Sequence, residues 1–344
     1  MAEALRAGGT VDLPTISAVH REVIGAERGF LSQTLRVALD YAGPPRPGVP
    51  ASVVVKIEPE QGNLRNAERD TKAFDREIRF YGEVAGRVPM RLPRVYYTDA
   101  AADGKVLIME DLCAYQCIDQ LHGLRHEQVI ATVREVAKLH AAFWHADARA
   151  ELAWIPLHDH FFEEDFEEHW PAFARSYELR IGREAVRLGE RVGQHLRWIE
   201  QRISERPVTL IHGDLRADNL LFCPDQQRSE IIVLDWQLAT RSLAAIDVDR
   251  LMGDSEPAAE RRGHQLEVFT AWHEALLCAG LSEYPFEEAL TDFRLGALYC
   301  LFIPVRAFAL VGPESGGRTG RLLDAISERL YASAIELDAG ALLP

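Results

Sequence analysis

Leu210-Ile211-His212-Gly213-Asp214-Leu215-Arg216-Ala217-Asp218-Asn219-Leu220-Leu221-Phe222 is the stretch from which the fold of this chain can be read. Apolar residues lead in at Val208, Leu210 and Ile211 and lead out at Leu220, Leu221 and Phe222. A short polar loop is therefore strung between two strands of the buried type. A second apolar run, Ile231 to Leu234, ends in Asp235. The pattern predicts two buried strands, each delivering acidic or amide side chains to one end.

The spacing H-x-D-x-x-x-x-N, followed by an apolar strand that ends in Asp, is the arrangement used in phosphoryl transfer. That chemistry must orient a hydroxyl and neutralise charge on the moving phosphoryl group. On this reading Asp214 accepts or orients the hydroxyl proton, and Arg216 reaches the transferring group. Asn219 and Asp235 offer oxygen ligands to Mg2+, a hard cation that prefers oxygen. His212 braces the loop. Gly-Asp alone is a common turn, so the reading rests on the whole set.

Residues 12 to 57 read as strands, ending in the β-branched run Ser52 to Ile57 that contains Lys56. Residues 66 to 87 read as a helix with Phe74, Glu77, Ile78, Tyr81 and Ala85 on one face. Glu77 is then a carboxylate on an apolar face, and a buried carboxylate needs a partner. Lys56 is the natural one, and such a pair holds the α- and β-phosphates in kinases. The glycines Gly25 and Gly29 sit where two strands would be joined. Backbone groups at Gly29, with the Ser32 hydroxyl, suit phosphate contact, although G-x-G-x-x-G is absent. Arg94 to Tyr97 and Val106 to Leu112 read as a hairpin. The main chain of Met109, Glu110 and Asp111 is the expected meeting point for a nucleotide base.

The 344 residues are enough for two domains or one two-lobed domain. Acidic residues number 53 against 38 basic, a net charge of −15 that argues against general electrostatic binding of nucleic acid. The five cysteines form no CxxC pair, which fits a reduced, cytoplasmic protein. The N-terminus lacks a signal-peptide pattern. The apolar run Leu295 to Val305, interrupted by Pro304, is shorter than a membrane span of roughly 20 residues, so no membrane partner is expected. Glu127 to Asp147 reads as an amphipathic helix in which His140 is a packing residue. Glu163, Glu164, Glu167 and Glu168 make an acidic helix face. It is a solvated surface, or the rim for a cationic acceptor. Asp247 reads as an N-cap supporting the loop of Asp235. Gly312 to Thr319 mimics a phosphate loop, but it follows a helix-like run and reads as a flexible loop.

With these residues in place the chain resembles the aminoglycoside phosphotransferase-like enzymes, and most of all their ecdysteroid-kinase-like (CHK kinase-like) branch. The resemblance rests on Glu77-Ile-Arg-Phe-Tyr81, Leu107-Ile-Met-Glu-Asp-Leu112, Ala137-Lys-Leu-His-Ala-Ala-Phe-Trp144, His212 to Asn219 and Asp235-Trp-Gln237. It implies an α+β, bilobal protein-kinase-like fold. A small β-rich N-lobe would span residues 1–112 and a larger, mainly helical C-lobe residues 113–344. It further implies transfer of the γ-phosphate of ATP, or GTP, to a hydroxyl of a small-molecule acceptor bound over the C-lobe. The family's substrates differ widely, so it names no acceptor. Rival readings are a protein kinase, a nucleotide-binding protein without transfer activity, and an aminoglycoside-type antibiotic kinase. HGD in place of HRD and the missing Gly after Asp235 speak against the first.

Overall fold

The computed structural model describes residues 1–10, 12–24, 33–58, 72–100, 105–158, 163–225, 230–312 and 316–344. The elements begin with α1 (Ala2–Ala7), β1 (Ile16–Ile24), β2 (Gln33–Tyr41), β3 (Ser52–Ile57), α2 (Ala73–Glu83), β4 (Val95–Asp99), β5 (Val106–Glu110) and β6 (Gln116–Cys117). They continue through α3 (His126–Ala142), α4 (Glu163–Gln194), α5 (Leu196–Ser204), β7 (Val208–Ile211), β8 (Leu220–Phe222), β9 (Ile231–Val233) and β10 (Thr240–Leu243). Helices follow: α6 (Ala245–Ser255), α7 (Ala258–Arg261), α8 (Gln265–Cys278), α9 (Phe286–Cys300), α10 (Phe302–Val311) and α11 (Gly317–Glu336). The chain divides into two compact units, Met1–Gln116 with Leu221–Leu238, and Cys117–Leu220 with Ala239–Pro344.

The first unit is built on an antiparallel sheet of strand order β1-β2-β3-β5-β4. Side chains alternate along β3. Val53 and Val55 join Leu5, Val37, Tyr96 and Ile108 in one apolar cluster, and Lys56 falls on the opposite face. Its register is fixed on both sides, opposite Thr34 of β2 and Leu107 of β5. In α2, Phe74, Glu77, Ile78 and Tyr81 are buried, as the periodicity predicts. The helix ends at Glu83, and Ala85–Arg87 forms a separate 3-10 turn. Val88 precedes Pro89, a position that disfavours continued helix. Residues 66–71 of the expected helix lie outside the described residues. The segment after β9 also belongs to this unit. Trp236 is fully buried and its ring lies flat on Phe80 of α2, centroids 4.2 Å apart.

In the second unit β7 pairs antiparallel with β10. Helix α4 runs 32 residues but loses helical geometry at Gly182 (φ 85°, ψ 161°). A Cβ at Gly189 would collide with the Trp170 ring. Nineteen residues of straight helix span about 28 Å, so that contact requires the chain to reverse at Gly182.

Residues Phe286–Val311, 26 in number, are by length and composition apolar enough to cross a membrane; an 18-residue window within them has mean hydropathy 1.6, and 56% of that window is buried within the fold. Pro304 does not break the run as the sequence reading expects. It sits in the first turn of α10, where a missing N–H costs no hydrogen bond. Gly317 to Thr319, expected in a flexible loop, open α11 instead. Arg318 there donates to Asp119 (2.9 Å) and Asp218 (3.2 Å). An arginine committed to two carboxylates is no phosphate-loop cation.

Candidate active site

In the first unit the sheet and α2 bring Lys56 and Glu77 together. Lys56 Nζ donates to both Glu77 oxygens at 2.8 and 2.7 Å and to Asp235 Oδ1 at 3.0 Å. The Glu77 side chain is fully buried and that of Lys56 is 10% exposed. Gln237 Nε2 donates to Glu77 Oε2 at 3.2 Å. Burial alone would lower the Lys56 pKa, but Asp235 and Glu77 outweigh it and raise it, so the ammonium persists. Asp235 adopts φ 66°. That left-handed conformation is unusual outside glycine and concentrates at functional sites.

Met109 to Asp111 close β5. The Glu110 carboxylate accepts from Arg91 Nη2 (2.6 Å) and the Arg94 amide (3.0 Å). Asp111 Oδ2 accepts from Ser52 Oγ (2.6 Å) and Arg36 Nε (2.9 Å). These carboxylates anchor the strand end. Gly29 and Ser32 lie outside the described residues.

In the second unit β7 leads into the loop predicted from sequence. Gly213 takes φ 79°, which lets the chain turn before Asp214. Arg216 Nε donates to Asp214 Oδ2 (3.0 Å) and Arg250 Nη2 to Asp214 Oδ1 (2.8 Å). Burial would raise the Asp214 pKa, but Arg216 and Arg250 hold its carboxyl down to about 2. Asn219 Nδ2 donates to the Asp214 carbonyl (2.9 Å) and Oδ2 (3.1 Å). With the amide nitrogen committed, its Oδ1 is left as an oxygen donor suited to a hard cation. Arg216, expected from sequence to reach a transferring phosphoryl group, is buried. It also donates to Gln120 Oε1 (2.6 Å) and Asp218 Oδ2 (3.2 Å).

Asp247 corrects the sequence reading. Ala244 is the N-cap of α6, and Asp247 lies within the first turn. Its carboxylate accepts from the amides of His212 (2.7 Å) and Gly213 (2.9 Å), so it supports the loop of Asp214 and not that of Asp235. His140 is fully buried and structural, as expected, with Nδ1 accepting from Trp272 (3.1 Å). His212 Nδ1 accepts from the Asp214 amide at 3.2 Å, the bracing role expected of it. Sequence reasoning missed Arg250, Gln120, Asp218, Asp254 and Gln237. Asp254 bonds both Gln120 and Arg250. The recognisable signal was the charged pair Asp249-Arg250 in a helix whose residues are all buried. Glu167 and Glu168 are exposed, while the side chains of Glu163 and Glu164 lie outside the described residues.

A sequence model of the ecdysteroid kinase-like family matches residues 26–280. Solved structures are similar along nearly the whole chain. A candidate aminoglycoside phosphotransferase from Ralstonia eutropha JMP134 is 16% identical, with 100% of this chain and 99% of that one covered and a TM-score of 0.56. The GDP and kanamycin complex of the aminoglycoside phosphotransferase APH(2″)-IIIa is 15% identical, with 99% and 98% covered and a TM-score of 0.52. A Plasmodium vivax ethanolamine kinase is 11% identical, with 94% and 82% covered and a TM-score of 0.50. No curated protein is a significant match. At these identities the likeness to solved structures is one of fold.

Proposed function

Because this chain belongs to the ecdysteroid kinase-like family and has the α+β protein-kinase-like fold, we propose that it transfers the γ-phosphate of ATP or GTP to a hydroxyl of a small molecule. The observation that carries the proposal is the buried contact of Lys56 with Glu77 and Asp235. A buried ion pair is expensive, and replacing it with apolar residues often stabilises a protein. Its presence beside a carboxylate in a strained backbone conformation is explained by a phosphate-binding duty.

Lys56 is held as an ammonium and positioned by Glu77, which suits it to the α- and β-phosphates. A bound Mg·nucleotide would supply the phosphoryl group and neutralise charge on its oxygens. Asp235 and Asn219 are the proposed oxygen ligands for that ion. Asp235 fits because its carboxylate is 30% exposed, and Asn219 because its amide nitrogen is already committed to Asp214. Asp214, held at about 2 by its arginines, is a weak proton acceptor at neutral pH. Its role is to orient the acceptor hydroxyl through a hydrogen bond, with Arg216 holding the carboxylate in place. The main chain of Met109 to Asp111 is proposed to meet the base, and Gly29 and Ser32 the phosphates.

A cationic acceptor is part of the proposal. The net charge of −15 and the exposed Glu167 and Glu168 favour one, and kanamycin and ethanolamine name amine-bearing molecules among the fold neighbours. All five cysteines are free thiols, which supports a reducing compartment. The test is a phosphotransfer assay with ATP or GTP, Mg2+ and a panel of amino alcohols and aminoglycosides. Acceptor-dependent ADP or GDP release that Asp214→Asn abolishes supports the proposal. Release unchanged in Asp214→Asn contradicts the role of Asp214.

A further inference from the structure

Three helix ends of the second unit converge on a group of imidazoles and carboxylates that the proposed kinase chemistry does not use. His126 opens α3, Glu256 follows α6, His264 precedes α8, and Glu267 lies in the first turn of α8. One ligand atom each of His126, His264 and Glu267 lies within 4.8 Å of the others. We propose that these three residues form a site for a divalent transition metal of the zinc class, with Glu256 as the outer carboxylate that orients His126.

Glu256 is the first reason. Its Oε1 lies 2.8 Å from His126 Nδ1, and its side chain is fully buried. A ligating imidazole commonly gives its other N–H to a carboxylate, which fixes the tautomer and leaves the opposite nitrogen as a donor to metal. Here that opposite nitrogen, His126 Nε2, is buried and makes no well-aligned hydrogen bond among the described residues. It faces Glu267 Oε2 at 3.4 Å. A neutral imidazole with its proton on Nδ1 would oppose its lone pair to a carboxylate oxygen there. A cation between them turns that repulsion into two ligand bonds.

Geometry is the second reason. Zinc bonds of about 2.0–2.2 Å in a tetrahedron place ligand atoms about 3.3–3.6 Å apart. Closing the present spread of up to 4.8 Å requires side-chain rotation that opens the contact of His264 Nδ1 with Glu267 Oε1, now 2.9 Å. His264 is 49% exposed and Glu267 61% exposed, while the better buried His126 is already oriented. Two imidazoles and one carboxylate suit zinc, cobalt or nickel over magnesium or calcium, which prefer all-oxygen sites. Three protein ligands leave a position open for water or an added ligand. His126 and Glu267 also line a groove of ≈ 660 Å³ with Ile130, Arg134, Leu266 and Thr270, and the open position can face it. Bound metal would fasten the start of α3 to the start of α8 and, through Glu256, to the end of α6. That helix carries Arg250, the partner of Asp214.

The test titrates the full chain with Zn2+ by calorimetry and with Co2+ by visible absorption, without nucleotide. The proposal expects one saturable equivalent at micromolar metal and a raised Tm. His264→Ala and Glu267→Gln should each abolish that equivalent, and Glu256→Gln should weaken it about 10–100-fold. Asp235→Ala should leave it intact, which separates this site from the proposed magnesium ligands. Absence of saturable binding, or an equivalent that survives His264→Ala, makes the cluster a knot of ion pairs and overturns the proposal.

Discussion

Replacing Lys56 by Met strands the Glu77 carboxylate. It is fully buried and makes two of its hydrogen bonds to Lys56, leaving the Gln237 amide at 3.2 Å. Removing one partner of a buried pair costs about 3–5 kcal/mol. The reverse change, Glu77→Leu, is milder, because Lys56 keeps Asp235 at 3.0 Å. A charge-assisted bond of that kind recovers part of the loss, so about 1–3 kcal/mol is expected. The double variant Lys56→Met/Glu77→Leu removes both charges and should return to within about 1 kcal/mol of wild type. The singles and the double therefore miss additivity by about 3 kcal/mol or more. Urea unfolding of the four proteins measures this directly. The pH dependence adds a check. Burial raises the Glu77 pKa, with Lys56 opposing the rise. Without Lys56, folded Glu77 holds its proton more tightly than the unfolded chain does. The stability of Lys56→Met is then best at low pH and falls as pH rises. Single costs under about 1 kcal/mol, or an additive cycle, would refute the view that this pair is a strained, functional charge site.

Three further outcomes are expected. Asp214 has a folded pKa of about 2, below the unfolded carboxylate value near 3.9, so its stabilisation is present above that value and is lost as pH falls toward 2; Asp214→Asn should cost about 2 kcal/mol at neutral pH, with the deficit shrinking in acid, as pH-dependent unfolding would show. Asp247→Asn keeps one acceptor for the His212 and Gly213 amides and loses the other; a cost of about 1–3 kcal/mol should accompany a fall in kcat larger than any loss of nucleotide affinity. Glu167→Gln/Glu168→Gln should raise KM for a cationic acceptor and leave the nucleotide KM alone, and an unchanged acceptor KM would retire the acidic rim.

The parts of the site legible in the sequence are those set by local periodicity. Lys56 stands out because the valines around it define a strand, and Glu77 because its neighbours at helical spacing are apolar. Asp214, Asn219 and Asp235 follow from fixed spacing around two buried runs. What was not legible depends on long-range packing. Arg250 lies 36 residues from Asp214 and Gln120 lies 96 from Arg216, separations at which no sequence period links one side chain to another. Asp247 was identified as a structural residue but assigned to the wrong loop, since a capping signal gives the helix end and not what the carboxylate faces. Pro304 misled because a proline stops a helix only after its first turn. The reversal at Gly182 was hidden because a single glycine within a helical pattern is also tolerated in place.

The most direct measurement is thermal unfolding with ATP or GTP, each with and without Mg2+, for wild type and Asp235→Ala. Nucleotide at about 100 times Kd should stabilise the wild type by roughly 2.7 kcal/mol, a rise of several degrees that requires Mg2+ and disappears in Asp235→Ala. No shift at millimolar nucleotide, or an equal Mg2+-dependent shift in Asp235→Ala, would contradict the assignment of Lys56, Glu77 and Asp235 to a nucleotide site.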